Sequence, residues 1–187
     1  MNLIYNPKET ELMDIDDVIR DWNPFLNQVW NRENPSRKKN LPGSWDLANN
    51  YGSDITEFYQ QKHAEEIYLK APLVPGAREF LNELAKIRLI YLVSSQPNEQ
   101  IEEYTKHWVI INQIPFSYYK FTHNKGSVFG NHLLDDGVHN LESALESGRS
   151  APVLFKRDWN QNEIGKRWKG LFVETHQEFL DLVRNHH

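Results

Sequence analysis

The chain of 187 residues has no cysteine, which excludes disulfides and thiolate metal sites and is consistent with a cytoplasmic home. It has no apolar run long enough to cross a bilayer, so no membrane is expected as a partner. The stretch from Met1 to Tyr5 lacks the basic start and apolar core of a secretory leader, which points the same way. Positive charge is also scarce. Against 26 Asp and Glu stand 21 Lys and Arg, giving a net charge of −5. Binding to a nucleic-acid polymer is therefore not expected, because a phosphate backbone calls for a basic surface. Internal repeats and low-complexity tracts are absent. His63, His107, His132 and His139 lack the spacing of metal ligands.

What is present is the balance of a globular protein, with 39% hydrophobic and 25% charged residues. The length suits one domain, or one domain with a small insertion. Six Trp and eight Tyr are many for this length, and several fall between residues 22 and 68. Most buried aromatics are plain core, but an aromatic-rich insertion also suits stacking on a flat ligand.

Short apolar runs alternate with helical patterns. Leu12-Met13 leads into Asp14 as a strand end, and Leu3-Ile4-Tyr5 reads as a separate strand or part of the same one. From Ile19 to Leu73 the pattern is helical but irregular, with breaks at Asn34-Pro35-Ser36 and Leu41-Pro42-Gly43-Ser44. Pro75-Gly76 opens a helix with Phe80, Leu81, Leu84 and Ile87 on one face. Leu89-Ile90-Tyr91-Leu92-Val93 reads as a buried parallel strand, followed by a helix through Ile101 and Trp108. Further strands are expected at 118–122, 132–134, 152–155 and 171–173, a short helix at 141–145, and a C-terminal helix after the capping-box spacing of Thr175 and Glu178. This is the pattern of an α/β protein with a mainly parallel sheet.

In such sheets ligands gather at the carboxyl ends of strands. Asp14, Ser94 and Asp135-Asp136 each follow a predicted strand. In Asp14-Ile15-Asp16, residues two apart on extended chain point the same way, so their carboxylates repel unless a cation or a shared proton intervenes. Magnesium takes oxygen ligands, and an Asp carboxylate can attack phosphorus. Ser94-Ser95 could hold a phosphoryl oxygen. Lys125 could neutralise both the acids and a phosphate. Taken singly, each has an ordinary explanation: a turn acid, a helix cap, a solvated lysine.

The order is D-x-D after a first strand, Ser after a second, Lys, then Asp-Asp after another strand. Jointly these residues resemble the four signature motifs of the haloacid dehalogenase superfamily of phosphohydrolases. Residues 89–97, 104–108, 121–125 and 130–136 look like the 5′(3′)-deoxyribonucleotidase family, as do Pro72-Leu73-Val74-Pro75-Gly76-Ala77 and residues 154–160. The resemblance runs from about residue 11 to about residue 160. It implies a Rossmann-like α/β core formed by 1–18 and 75–187, with a small helical cap, 19–74, inserted after the first strand. It implies Mg2+ as cofactor and a nucleoside monophosphate as substrate. Asp14 would be nucleophile and metal ligand. Asp16 would be general acid/base, with its carbonyl on the metal. Ser94 and Lys125 would hold the phosphoryl group, and Asp136 and Asp135 would complete the metal site. Trp22, Trp45, Ser95 and Gln96 would bind substrate. Three positions depart from the family pattern. Asp17 replaces a Gly, Gln96 lengthens the turn before Pro97 by one residue, and His123 stands where some members have Arg. Another small phosphate, such as a sugar phosphate, remains an alternative substrate, and a catalytically idle nucleotide- or metal-binding module an alternative role. A homodimer is left open.

Overall fold

The computed structural model describes residues 6, 9–41 and 46–185. The expected strand at Leu3-Ile4-Tyr5 and the candidate Trp45 lie outside these residues. Six strands are described: β1 (Thr10–Met13), β2 (Leu89–Ser94), β3 (Tyr118–Phe121), β4 (His132–Asp135), β5 (Ala151–Phe155) and β6 (Leu171–Val173). They form one sheet in the order β3-β2-β1-β4-β5-β6, and every pairing between them is parallel.

In the central strands the apolar runs are continuous because both faces of the sheet are covered there, whereas the edge strands β3 and β6 keep exposed residues such as Tyr119, Leu171 and Phe172. Successive side chains point to opposite faces. Met13, Leu92, Leu134, Val153 and Phe155 pack into one cluster with α5 (Ala77–Leu84) and α8 (His176–Asn185). Their neighbours Leu12, Val93, Leu133 and Leu154 pack on the other side with Val138, Leu141 and Ala144 of α7 (Val138–Ser147). Helix α6 (Glu99–Ile111) starts where the Asn98 side chain accepts from Ile101 N at 3.0 Å, a side-chain cap of the first turn.

Two helices differ from expectation. Helix α5 stops at Leu84 and leaves Ile87 36% exposed, because the chain turns there to enter β2. Helix α7 is longer than expected and begins directly after Asp136-Gly137. The Thr175–Glu178 pair does cap α8. Glu178 N donates to Thr175 Oγ1, while the Glu178 carboxylate accepts from Glu174 N rather than from Thr175 N.

Between β1 and α5 lie α1 (Trp22–Glu33), α2 (Leu47–Tyr51), α3 (Ile55–Glu57), a wider π turn (Phe58–Lys62) and α4 (Ala64–Lys70). They bury a cluster of their own, including Trp22, Leu26, Trp30, Tyr51, Phe58, Ile67 and Tyr68, which Ile101 of α6 joins. The chain leaves and returns side by side. Asp21 N donates to Pro72 O and Val74 N to Ile19 O, each at 2.8 Å. No helix among the described residues is long and apolar enough to cross a membrane.

Candidate active site

The strand order reverses direction between β1 and β4, and a crevice opens outside the carboxyl ends of strands at such a switch point. Asp14 follows β1, and Asp135 ends the adjacent β4. Asp14 N donates to Leu134 O at 3.0 Å, which extends the pairing and fixes where its side chain leaves the sheet. The Asp14 Oδ1 atom accepts from Ile15 N at 2.7 Å and from Lys125 Nζ at 2.8 Å. Lys125 also donates to Asp135 Oδ2 at 2.7 Å and is 1% exposed. Its turn reaches this depth because residue 126 is glycine. A Cβ there would lie 2.4 Å from the Ser143 carbonyl oxygen.

Asp135 is filled on both oxygens. Gly137 N donates to Oδ1, Asn140 Nδ2 lies 3.1 and 3.2 Å from the two oxygens, and Lys125 occupies Oδ2. Asp136 accepts from Trp159 Nε1 at 2.8 Å on Oδ2. Oxygens of Asp14, Asp135 and Asp136 lie within 4.8 Å of one another, all three residues being buried. An all-oxygen donor set of this kind fits a hard divalent cation.

The charges conflict without such a cation. Burial, with Asp135 and Asp16 adding repulsion, pushes the Asp14 carboxyl up to about 7 even though Lys125 opposes the shift. Burial and the nearby Asp17, Asp135 and Asp14 raise Asp136 well above the ordinary carboxylate range. Burial alone would lower the Lys125 ammonium, but Asp135 and Asp14 more than reverse this and hold it above its usual value.

Asp16 accepts on both oxygens, from Arg20 Nε at 2.7 Å and from Gln96 Nε2 at 2.9 Å. The same Gln96 nitrogen lies 2.9 Å from Ser94 Oγ. The extra residue in the turn before Pro97 thus ties β2 to the D-x-D loop. Ser95 Oγ lies 2.5 Å from His123 Nδ1 at the rim. Asp17 has φ +61°, in the left-handed region that favours glycine and is tolerated by Asp. Its carboxylate accepts from Asn23 N at 2.8 Å and Asn23 Nδ2 at 2.6 Å, which anchors the first turn of α1. Burial is the main reason that Asp17 is raised to about 8.

A cavity of about 340 Å³ brings Asp14, Asp16, Trp22, Ser94, Ser95, Gln96 and Lys125 together with Tyr59, Tyr68 and His139. Trp22 packs edge-on against Tyr59, with ring centroids 5.3 Å apart. A larger cavity of about 640 Å³, between α5 and α8, is lined by none of the strand-end acids or Lys125, so its size does not make it the site. Asp135 and Asp136 stand behind the lining of the smaller cavity, within reach of Asp14. Arg20, Asn23, Asn140 and Trp159 were not among the sequence candidates. Arg20 carries a weak signal, four residues after Asp16. Tyr59 and Tyr68 are marked only by the general wealth of aromatics between residues 22 and 68.

The family model described as 5′ nucleotidase, deoxy (Pyrimidine), cytosolic type C protein matches residues 9–183. The 5′(3′)-deoxyribonucleotidase of Clostridium acetobutylicum is 28% identical over 170 residues, covering 83% of this chain and 86% of that protein. The protein of the same name from Bacillus subtilis is 25% identical over 154 residues, covering 79% of this chain and 82% of its own length. A haloacid dehalogenase (HAD) family hydrolase from Deinococcus radiodurans, solved with bound phosphate and sodium, has a TM-score of 0.67 at 12% identity, covering 96% of each chain. That level of identity is a likeness of fold.

Proposed function

The chain belongs to the family of 5′ nucleotidases, deoxy (pyrimidine), cytosolic type C, within the haloacid dehalogenase superfamily, and on that footing we propose that it is a magnesium-dependent 5′(3′)-deoxyribonucleotidase. The observation that carries this reading is the joint placement of Asp14, Asp16, Ser94 and Lys125 around one cavity that Trp22, Tyr59 and Tyr68 also line. The acids and the lysine handle a phosphoryl group, and the aromatics offer faces and edges to a base. Residues 19–74 act as the cap and 1–18 with 75–187 as the core. The separate apolar cluster of α1 to α4 supports that division.

Asp14 attacks phosphorus in line. The bond from phosphorus to the nucleoside oxygen breaks, and Asp16 gives that oxygen a proton. Lys125 and Ser94 face the equatorial oxygens and spread their charge. Asp16 then takes a proton from water, which attacks the aspartyl-phosphate and frees phosphate and Asp14. Asp14, Asp136 and the Asp16 carbonyl would hold magnesium, with Asp135 beside them. When bound, the ion supplies positive charge to the transferring group. Asp135, engaged by Lys125, Gly137 and Asn140, serves chiefly to hold the lysine in place.

The direct test is phosphate release with magnesium over a panel of deoxyribo- and ribonucleoside monophosphates and sugar phosphates. Release is expected to be fastest from deoxyribonucleotides. Equal rates on sugar phosphates and nucleotides would defeat the nucleotide reading. The same experiment addresses a catalytically idle module, which would release nothing.

Stability is expected to report the metal site independently of turnover. Asp14 and Asp17 titrate near 7 and 8 in the metal-free fold, above the roughly 4 of an unfolded Asp. Raised acids stabilise the fold fully below their unfolded value, and that contribution is lost as pH rises through the folded value. The metal-free protein should therefore lose thermal stability progressively from about pH 4 to about pH 8, with little further change above that. At a concentration about 100 times its Kd, a ligand of the folded state adds about 2.7 kcal/mol, or roughly 5–10 °C for a chain of this size. Magnesium should raise the unfolding midpoint by about that much at pH 8.5, and by less at pH 6. An equal shift at both pH values would count against the acid cluster as the metal site.

A further inference from the structure

Arg20 is the least expected residue near the site. It is 0% exposed, although a buried guanidinium carries a large desolvation cost unless it is well partnered. Here each of its three nitrogens donates to a partner. Its Nε donates to Asp16 Oδ1 at 2.7 Å, NH1 to the Tyr68 carbonyl at 2.8 Å, and NH2 to Thr105 Oγ1 at 3.2 Å. Its flat faces lie 5.1 Å from the ring centroids of both Tyr68 and Trp108. Its backbone is held as well, with Arg20 N donating to Ile15 O and Asp17 N to Arg20 O.

These contacts belong to three different parts of the molecule. Asp16 lies on the D-x-D loop, Tyr68 on α4, and Thr105 and Trp108 on α6. Tyr68 also lines the cavity beside Trp22. A guanidinium is a rigid planar fork, so its end-on bond to the Tyr68 carbonyl and its Nε bond to Asp16 cannot move independently. A short charge-assisted bond to one carboxylate oxygen also decides which oxygen is left for other work. Arg20 takes Oδ1. Oδ2, held otherwise by the neutral Gln96 amide, is the oxygen able to exchange a proton with a leaving group.

We propose that Arg20 is a positioning residue for Asp16, fixing Oδ1 so that Oδ2 delivers the proton, and tying that placement to the α4 wall of the cavity. This rests on the reading of Asp16 as general acid under Proposed function. In the first step the bond from Asp14 oxygen to phosphorus forms and the ester P–O bond breaks. The electron pair stays on the ester oxygen, which takes its proton from Asp16 Oδ2. An alkoxide leaving group needs that proton, whereas p-nitrophenolate departs without it. Misplacing Asp16 therefore harms alkyl esters selectively, and a merely structural defect harms both kinds of ester alike.

The experiment compares kcat/KM of the full chain and its variants, with magnesium, on an alkyl phosphate and on p-nitrophenyl phosphate. This ratio reports steps up to ester cleavage and leaves out hydrolysis of the aspartyl-phosphate. Well-placed general acids are worth about 10²- to 10⁴-fold. Arg20→Met is expected to lose about 100-fold on the alkyl ester and no more than about 3-fold on the aryl ester, and Arg20→Lys to recover part of the alkyl loss. If Arg20→Met does not fold, Thr105→Val, which removes one anchor of the guanidinium, decides the matter through a smaller split of the same sign. Equal losses on the two esters, or none on either, would overturn the proposal. The alkyl ester is supplied both as a deoxyribonucleoside 5′-monophosphate and as a sugar phosphate. Cleavage of the sugar phosphate alone would end the nucleotide reading, while the split, taken on the sugar phosphate, would still decide the role of Arg20.

Discussion

Asp14→Asn is expected to abolish phosphate release, by on the order of 10⁴-fold or more, as loss of a nucleophile does in other covalent mechanisms. The fold is expected to survive. The amide oxygen of Asn can accept from Ile15 N and Lys125 Nζ as Asp14 Oδ1 does, and Lys125 keeps Asp135 as a charged partner. A carboxyl that burial pushes up to about 7 is one the fold holds reluctantly as an anion. Removing its charge should leave the metal-free unfolding midpoint unchanged or raised at pH 8.5, while reducing the stabilisation by magnesium. Activity assays and thermal unfolding of one purified sample test both halves. A well-folded Asp14→Asn protein that turns over like the parent would sink the proposed nucleophile.

Lys125→Met should have the largest effect on stability. It removes the ammonium that bridges Asp14 and Asp135, and both partners are buried. Breaking a buried pair by deleting one partner costs about 3–5 kcal/mol, because the other charge is left uncompensated. Methionine matches the length of the lysine stem, so the loss comes from charge rather than from a cavity. The midpoint should fall most at pH 8.5 without metal. Magnesium should restore part of the loss by replacing the missing positive charge, although turnover stays low. The double variant Asp14→Asn/Lys125→Met should be more stable than Lys125→Met alone, since one of the stranded carboxylates is gone. Strict additivity of the two changes in urea unfolding would mean that the residues do not interact across the site.

The parts of this protein that were legible in its sequence are those governed by near neighbours. Leu89-Ile90-Tyr91-Leu92-Val93 announces a strand buried on both faces because consecutive apolar residues can all be covered only between two layers of helix. Family resemblance and strand position together marked Asp14, Asp16, Ser94, Lys125, Asp135 and Asp136 as one group, and the fold brings them to one edge of the sheet. Helix ends were harder. Ile87 keeps the helical spacing of α5, yet the connection to β2 pulls it out of the helix. That competition between local pattern and chain path is invisible in a window of a few residues.

Sequence alone determined the kinds of element and their order, and it supplied the acids and the lysine. Tertiary structure decided everything that depends on distant partners. Arg20 is an ordinary arginine until Tyr68 and Thr105, 48 and 85 residues away, close around it. Gln96 acquires Asp16 across 80 residues, and Trp159 acquires Asp136 across 23. Even Asp17, out of pattern as a replacement for glycine, found its partner in Asn23 only once the chain had turned into α1. The physical reason is the same in each case. Strand and helix periodicity act between adjacent residues, whereas burial removes water from a charged group and leaves its stability to whichever donor the folded chain delivers.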